Sequence, residues 1–528
     1  MLLNRLSKPQ QITIAEKIFF GLMLLVLALP VTGSSWFLTE DGASHSYNAG
    51  VLYNLLSGND EFLGQYYEIN TLPSPNWLGH LLLAYTGHWL GVAEAAKILH
   101  LVYIAGFALA FRRLMFTVSP QPRVMSYLAF PLLYNVIFLF GFYNFCLGMV
   151  VMLIVINVWL RYQERPKLIN AILLGIMITL LWFSHQLPWF FAGLFIFFHL
   201  IYQLILRKQF VPVLKKATVA LLASLPSLIC LAIYMSHNAG GSGVVYESVS
   251  NRWNMFSGGE IFKMFYSQEA DLGKLFLLVV VIMLLLGIVR FMRLTKSMNN
   301  NPVHPKLFWF FIFVISFFAM LFFPETIGDG GVIGIRVMWI AWVFLLILVA
   351  QFRLPSRAGY AVCAVSLLMP VMRNSYFSGW IHDNNLEAHA ARGAGKYIKD
   401  HSTILILPFA TNWLNLHIGQ YAIAGREIVL LDNYEADHNY FPIKWNFEKM
   451  PYNYQLASLN ASAVPCSWSW PSLKDKENKQ VDYVMIVGDL NWEKDTVCSE
   501  KIACAMDSLD YRAVYKKRQI TLYEYFPD

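Results

Sequence analysis

Over the first 375 positions, apolar residues come in long unbroken runs separated by short polar stretches. Eleven of these runs are candidate membrane spans: 18–37, 92–111, 124–140, 142–160, 168–183, 189–206, 213–235, 275–289, 307–323, 337–349 and 359–371. A membrane helix needs about 20 mainly apolar residues to cross a hydrocarbon core of roughly 30 Å, so the shorter runs are expected to extend into their flanks. Residues 76–90 are apolar enough for half a span but carry His80, His88 and Trp89. Counting them as a crossing would move Arg112 and Arg113 outside, so the segment reads as a helix lying at the outer interface. Beyond about residue 375 the pattern turns to mixed polar sequence. It predicts helices at 386–400 and 499–509 and strands at 402–407, 427–431, 482–487 and 518–525.

The predicted fold class is therefore a polytopic α-helical membrane protein of about eleven transmembrane helices with a C-terminal extracytoplasmic α/β domain. The expected division is a membrane module, 1–375, whose first outer loop is 39–75 and whose interfacial helix is 76–90, followed by a soluble domain, 376–528.

Composition agrees with this pattern. The 528 residues are 57% hydrophobic and 14% charged, against roughly 25% charged in ordinary soluble domains. The net charge of +7 does not point to nucleic acid, because the basic residues are spread along the chain. Up to residue 375, the loops placed inside hold 19 Lys and Arg and those placed outside hold 6, and the first outer loop has none. Lys and Arg accumulate on the cytoplasmic face, which puts the N-terminus inside and, with an odd number of spans, the tail outside. The first run lacks a small-residue cleavage site and reads as a retained helix. Cys146, Cys230 and Cys363 fall in apolar runs. Cys466, Cys498 and Cys504 fall in the tail, where an oxidising compartment would allow one pair to join, and spacing does not choose the pair.

Candidate chemistry gathers on the outer side. Glu40 and Asp41 directly follow the first run with no Lys or Arg in their loop, which leaves them available for proton transfer or a metal. The competing reading makes Asp41 the N-cap of a helix over 43–56. Asp41 and His45 are four apart and share a helix face, a spacing that suits a divalent metal ion; the residues call for no other cofactor. His185 lies at the outer mouth of two spans, where the favoured reading is a polar break in a short turn. Glu325 sits in a glycine-rich outer loop, and Arg336 opens the tenth run, where a guanidinium suits a phosphate; the bland reading pairs it with Glu325 or with lipid.

These features resemble the GT-C superfamily, polytopic glycosyltransferases of the protein mannosyltransferase and aminoarabinose transferase kind that use polyprenyl-phosphate-linked sugars. The resemblance rests on Glu40-Asp41 after the first span, on Pro73-Ser74-Pro75-Asn76-Trp77-Leu78-Gly79-His80 opening the interfacial segment, and on a second span ending in Phe111-Arg112-Arg113. As architecture it covers about residues 16–375. It implies direct sugar transfer from a polyprenyl-phosphate-linked donor to an extracytoplasmic acceptor at the lipid bilayer. Asp41 or Glu40 would act as base, Arg336 with His80 or His185 would meet the departing phosphate, and His45, Asn76 and Glu325 would line the substrate site. Many members carry a further acidic residue between the third and fourth spans, where this chain has Gly141-Phe142-Tyr143-Asn144.

Two other readings compete. A transporter or flippase for lipid-linked sugars would place ionisable groups near mid-membrane, and here the spans hold few, His100 and His199 among them. A non-catalytic assembly subunit of the same architecture is the third.

Overall fold

The computed structural model describes residues 13–58, 61–207, 210–237, 243–296, 305–328, 330–409, 412–449, 480–488, 504, 506 and 510–526. Among these, six helices are long and apolar enough to cross a membrane: Ile14–Thr32, Val92–Val118, Tyr143–Glu164, Gln186–Ile205, Phe210–His237 and Ser267–Arg293. Three shorter apolar helices, Leu168–Ser184, Lys306–Phe322 and Ile333–Val349, accompany them, and the last apolar run begins the 39-residue helix Ser356–Ala394. The chain forms two compact units. The first comprises Met1–Leu29, Leu101–Phe138 and Asn144–Tyr376; the second comprises Pro30–His100, Leu139–Tyr143 and Phe377–Asp528. The second unit thus joins the expected first outer loop to the C-terminal strands, which a division at residue 375 keeps apart.

Within the first unit the helices differ in what they bury. Ile333–Val349 is apolar at every position but Arg336, and every residue in it except Arg336 is buried, the behaviour of a central helix. Ile14–Thr32 exposes Ile18, Leu22, Leu25 and Leu29, an apolar stripe that water would disfavour and lipid accepts.

The run at 124–140 is not the continuous helix expected there. Pro122–Met125 forms one turn, Ser126–Leu132 is a 3-10 helix containing Pro131, and Val136–Leu139 is another single turn. Proline supplies no N–H, and a broken backbone at membrane depth is tolerated only where protein satisfies its polar groups. Here protein does so. The Arg373 guanidinium donates to the carbonyls of Tyr134 at 2.7 Å and Pro131 at 3.3 Å, and Tyr103 Oη donates to Leu133 O at 2.9 Å. Asn135 donates to Leu132 O and accepts from Phe138 N. Arg373 in turn lies 3.6 Å from Glu269, both side chains being buried, and Glu269 accepts from the backbone N–H groups of Met264, Phe265 and Tyr266.

Short strands complete the description. Tyr67–Ile69 (β1) pairs antiparallel with a later strand, and Val244–Val245 (β2) pairs antiparallel with Thr326–Ile327 (β3). The C-terminal strands are Ser402–Phe409 (β4), Ile428–Leu430 (β5), Ile443–Trp445 (β6), Tyr483–Gly488 (β7), Tyr511–Lys517 (β8) and Ile520–Tyr525 (β9). β6 is the partner of β1. The others form a mixed sheet in the order β5-β4-β7-β9-β8, with β4 parallel to β5 and β7, and β9 antiparallel to β7 and β8. The run Ile404-Leu405-Ile406-Leu407 is buried on both faces, as a central parallel strand requires. β8 is one of the two edge strands and carries Arg512, Lys516 and Lys517, charges that discourage edge pairing. Of the helix expected at 499–509 only residues 504 and 506 are described, both helical, and the cysteines Cys466 and Cys498 lie outside the described residues.

Candidate functional site

The second unit builds its polar centre around the start of helix Gly42–Ser57. The N–H of Glu40 donates to Leu139 O at 2.9 Å and that of Asp41 to Phe140 O at 3.1 Å, so the acidic pair is held as a short ladder against Leu139–Tyr143. Gly141, at φ +83°, is the residue that allows it. A Cβ there would come within 2.9 Å of Asp41 N and 3.1 Å of Asp41 Cβ. Replacement by alanine is therefore strained twice, by the positive φ and by the contact, and is expected to cost about 1–3 kcal/mol and to displace Asp41. A Gly141→Ala protein with an unmoved melting midpoint would contradict this.

Asp41 occupies the N-cap position, yet its backbone is helical (φ −81°, ψ −4°) and its side chain makes no capping hydrogen bond. The capping reading is not realised. The carboxylate is 18% exposed, and its Oδ1 lies 3.5 Å from His417 Nε2. Burial pushes the His417 imidazole below its ordinary range and outweighs the opposite pull of Asp41 and Glu435. Glu40 is different. Burial, and then the charge of Asp41, raise its carboxyl to about 8, so at neutral pH it is mostly protonated.

This shift has a stability signature. A carboxyl at 4.5 when unfolded and about 8 when folded binds more protons in the folded state between those values. Its contribution is full below about pH 4.5 and is lost as pH rises towards 8. Glu40→Gln is expected to flatten the fall of the melting midpoint over that window. Parallel wild-type and variant curves would refute the assignment.

Behind Asp41 lies a second cluster. The N–H of His45 bonds to Asp41 O at 2.9 Å, one helical turn on, and the His45 side chain points to Glu435, with Nδ1 2.9 Å from Oε1. His80, from helix Trp77–Leu90, places Nε2 2.7 Å from Glu435 Oε2, while its Nδ1 lies 3.1 Å from Asn76 O. Asn76 takes part through this carbonyl, its backbone being left-handed at φ +67°. Ser44 Oγ donates to Glu435 Oε1 at 2.6 Å. Glu435 sits in the 3-10 turn Tyr434–Asp437 that follows β5. This stretch is fixed by Asn433 donating to Asn48 at 2.7 Å and, beyond the turn, by Asn70 donating to the carbonyls of Asn439 and Phe441. Burial pushes the Glu435 carboxyl up, but the charges and hydrogen bonds of His45 and His80 outweigh it and hold it well below the carboxylate range. For His45, burial pulls the imidazole down, and Glu435, then Asp41 and the Gly141 backbone, bring it net upward. Nearby, Tyr143 Oη lies 2.6 Å from Thr39 Oγ1 and 2.8 Å from His100 Nε2.

The remaining expected residues belong to the first unit. Glu325 is ion-paired with Arg252 at 2.5 Å. The buried guanidinium of Arg252 occupies the space that a side chain on Gly334 would need. His185 accepts from Leu187 N at 3.1 Å, and Arg336 lies near the start of helix Ile333–Val349, the one residue there that is not fully buried. His417, Tyr434 and Glu435 were not singled out from sequence. The signal for the last two was the polar string Asn433-Tyr434-Glu435-Ala436-Asp437-His438, and His417 stood alone, in a tail without a recognisable spacing.

Fold and site together define a polytopic helical membrane protein with a carboxylate–histidine centre assembled by its second unit. No family model matches the chain, and no curated protein matches it in sequence. Among solved structures the chain is similar to the crystal structure of ArnT from Cupriavidus metallidurans bound to undecaprenyl phosphate, at 11% identity and a TM-score of 0.43, over 96% of this chain and 97% of that one. The apo structure of the same protein gives 10% identity and a TM-score of 0.38 over the same shares.

Proposed function

We propose that the protein is a membrane glycosyltransferase of the GT-C kind, moving a sugar from a polyprenyl-phosphate-linked donor to an extracytoplasmic acceptor, with Asp41 as general base. The observation that carries this reading is the Asp41 carboxylate itself: partly exposed, free of the capping role that its position suggests, and faced by His417. The raised Glu40 supports Asp41 over its neighbour, because a base must be ionised at working pH and Glu40 is mostly protonated there. In this scheme the acceptor O–H gives its proton to Asp41 as its oxygen bonds to the anomeric carbon. The bond from that carbon to the phosphate oxygen breaks, and the lipid phosphate leaves with the electron pair. His417, neutral through burial, holds the carboxylate in place.

Arg336 is the residue the sequence resemblance points to for the phosphate charge. In this reading the N-terminus is cytoplasmic and the C-terminal strands are extracytoplasmic, as the loop charges suggest. The test is transfer of labelled sugar from polyprenyl-phosphate donors by the full chain in proteoliposomes, with membranes lacking the chain as control. Arg336→Ala is expected to raise the apparent donor KM by about tenfold or more and leave acceptor KM unchanged, as loss of a charge-assisted phosphate contact predicts. Absence of transfer with every polyprenyl-phosphate sugar offered would overturn the reading.

A further inference from the structure

The cluster behind Asp41 has a geometry that ordinary hydrogen bonding leaves half explained. His80 Nδ1 lies 3.1 Å from the carbonyl oxygen of Asn76. A carbonyl only accepts, so Nδ1 carries the proton and Nε2 presents its lone pair. That lone pair faces Glu435 Oε2 at 2.7 Å. His45 brings a second ring nitrogen to the same carboxylate, with Nδ1 2.9 Å from Glu435 Oε1. Two imidazoles thus converge on the two oxygens of one carboxylate. A lone pair on His80 Nε2 facing a carboxylate oxygen repels it, so positive charge must lie between them, supplied either by a second proton on that ring or by a divalent cation shared with His45.

We infer that His45, His80 and Glu435 form a zinc site that staples helix Gly42–Ser57, helix Trp77–Leu90 and the turn Tyr434–Asp437 together within the second unit. The three ligand atoms lie within 4.8 Å of one another. Tetrahedral zinc, with bonds of about 2.0–2.2 Å, separates its ligand atoms by roughly 3.4 Å, which falls between the shortest contact here and that limit. Two imidazole nitrogens favour zinc over magnesium or calcium, which take oxygen ligands. The bond from His80 to a backbone carbonyl is the kind of support that orients a metal-bound histidine. The three side chains are at most 5% exposed, and the ring of Phe441 packs against both imidazoles, at 6.0 and 5.5 Å. Zinc takes four ligands, so the fourth would be a water held among these buried side chains, and a site shielded from substrate in this way holds structure. Its effect on chemistry is indirect: it fixes the helix that begins at Asp41.

The experiment needs no substrate, so it is independent of the proposed activity. The full chain, purified in detergent, is stripped with a chelator, dialysed against zinc and assayed for metal content and melting midpoint. One zinc per chain is expected, with a midpoint that falls on chelation and returns on zinc addition. His80→Gln and Glu435→Gln should lose the bound zinc, and His401→Gln, which alters an exposed histidine paired with Glu427, should keep it. Should the cluster variants fail to fold, cobalt loaded into the wild-type chain is expected to give the intense visible bands of tetrahedral nitrogen and oxygen ligation. Any of three results would overturn the inference: zinc retained by His80→Gln, a wild-type midpoint indifferent to zinc, or a faint octahedral cobalt spectrum. The second would mean that protons alone hold the cluster.

Discussion

Asp41→Asn is expected to cut sugar transfer by about 10²–10⁴-fold, the span that removal of a positioned general base produces, while expression and melting midpoint stay unchanged. The substitution separates two roles. Asparagine is as good an N-cap as aspartate, and the Asp41 side chain makes no capping bond in any case, so the start of helix Gly42–Ser57 has little to lose. The change in stability should therefore stay within about 0.5 kcal/mol. What asparagine cannot do is take a proton from the acceptor. Turnover preserved in Asp41→Asn would remove Asp41 from the chemistry. A collapse of both stability and turnover would return it to a structural role.

The largest loss of stability is expected from Arg373→Met. Its guanidinium donates to the carbonyls of Pro131, Tyr134 and Phe262 and lies beside the buried Glu269. Removing it leaves carbonyls of the broken 126–134 stretch and one buried carboxylate without their cation. Breaking a buried pair by deleting one partner costs about 3–5 kcal/mol. The measurement is unfolding of the full chain in detergent, compared with Glu269→Leu and with the double variant. Because replacing both partners by apolar residues removes the uncompensated charge, the double variant should be more stable than Arg373→Met alone. Equal midpoints for wild type and Arg373→Met would show that the broken segment is held by its other hydrogen bonds.

Much of the fold was legible without coordinates, because it depends on neighbours along the chain. Apolar runs of sufficient length became helices at Val92–Val118, Tyr143–Glu164 and Phe210–His237. The runs at 402–407, 427–431, 482–487 and 518–525 became β4, β5, β7 and β9. β8 was missed, since Tyr511–Lys517 is an edge strand whose polar composition hides its alternation. The run at 124–140 misled for the opposite reason: its composition is that of a span, but Pro131 breaks the helix, and an arginine more than 230 positions away satisfies the break.

The site divides in the same way. Composition and spacing by themselves determined a multi-span chain, an acidic pair following its first helix, and His45 one turn beyond Asp41. Tertiary structure alone decided that Asp41 is not spent on capping, that Gly141 lets Leu139–Tyr143 lie against it, and that His417 and Glu435 face it and its neighbours from almost 400 residues away. The physical reason is range. Periodicity and capping act over a few residues and leave a trace in the sequence, whereas a buried carboxylate between two imidazoles is specified only by the packing that brings three distant segments together.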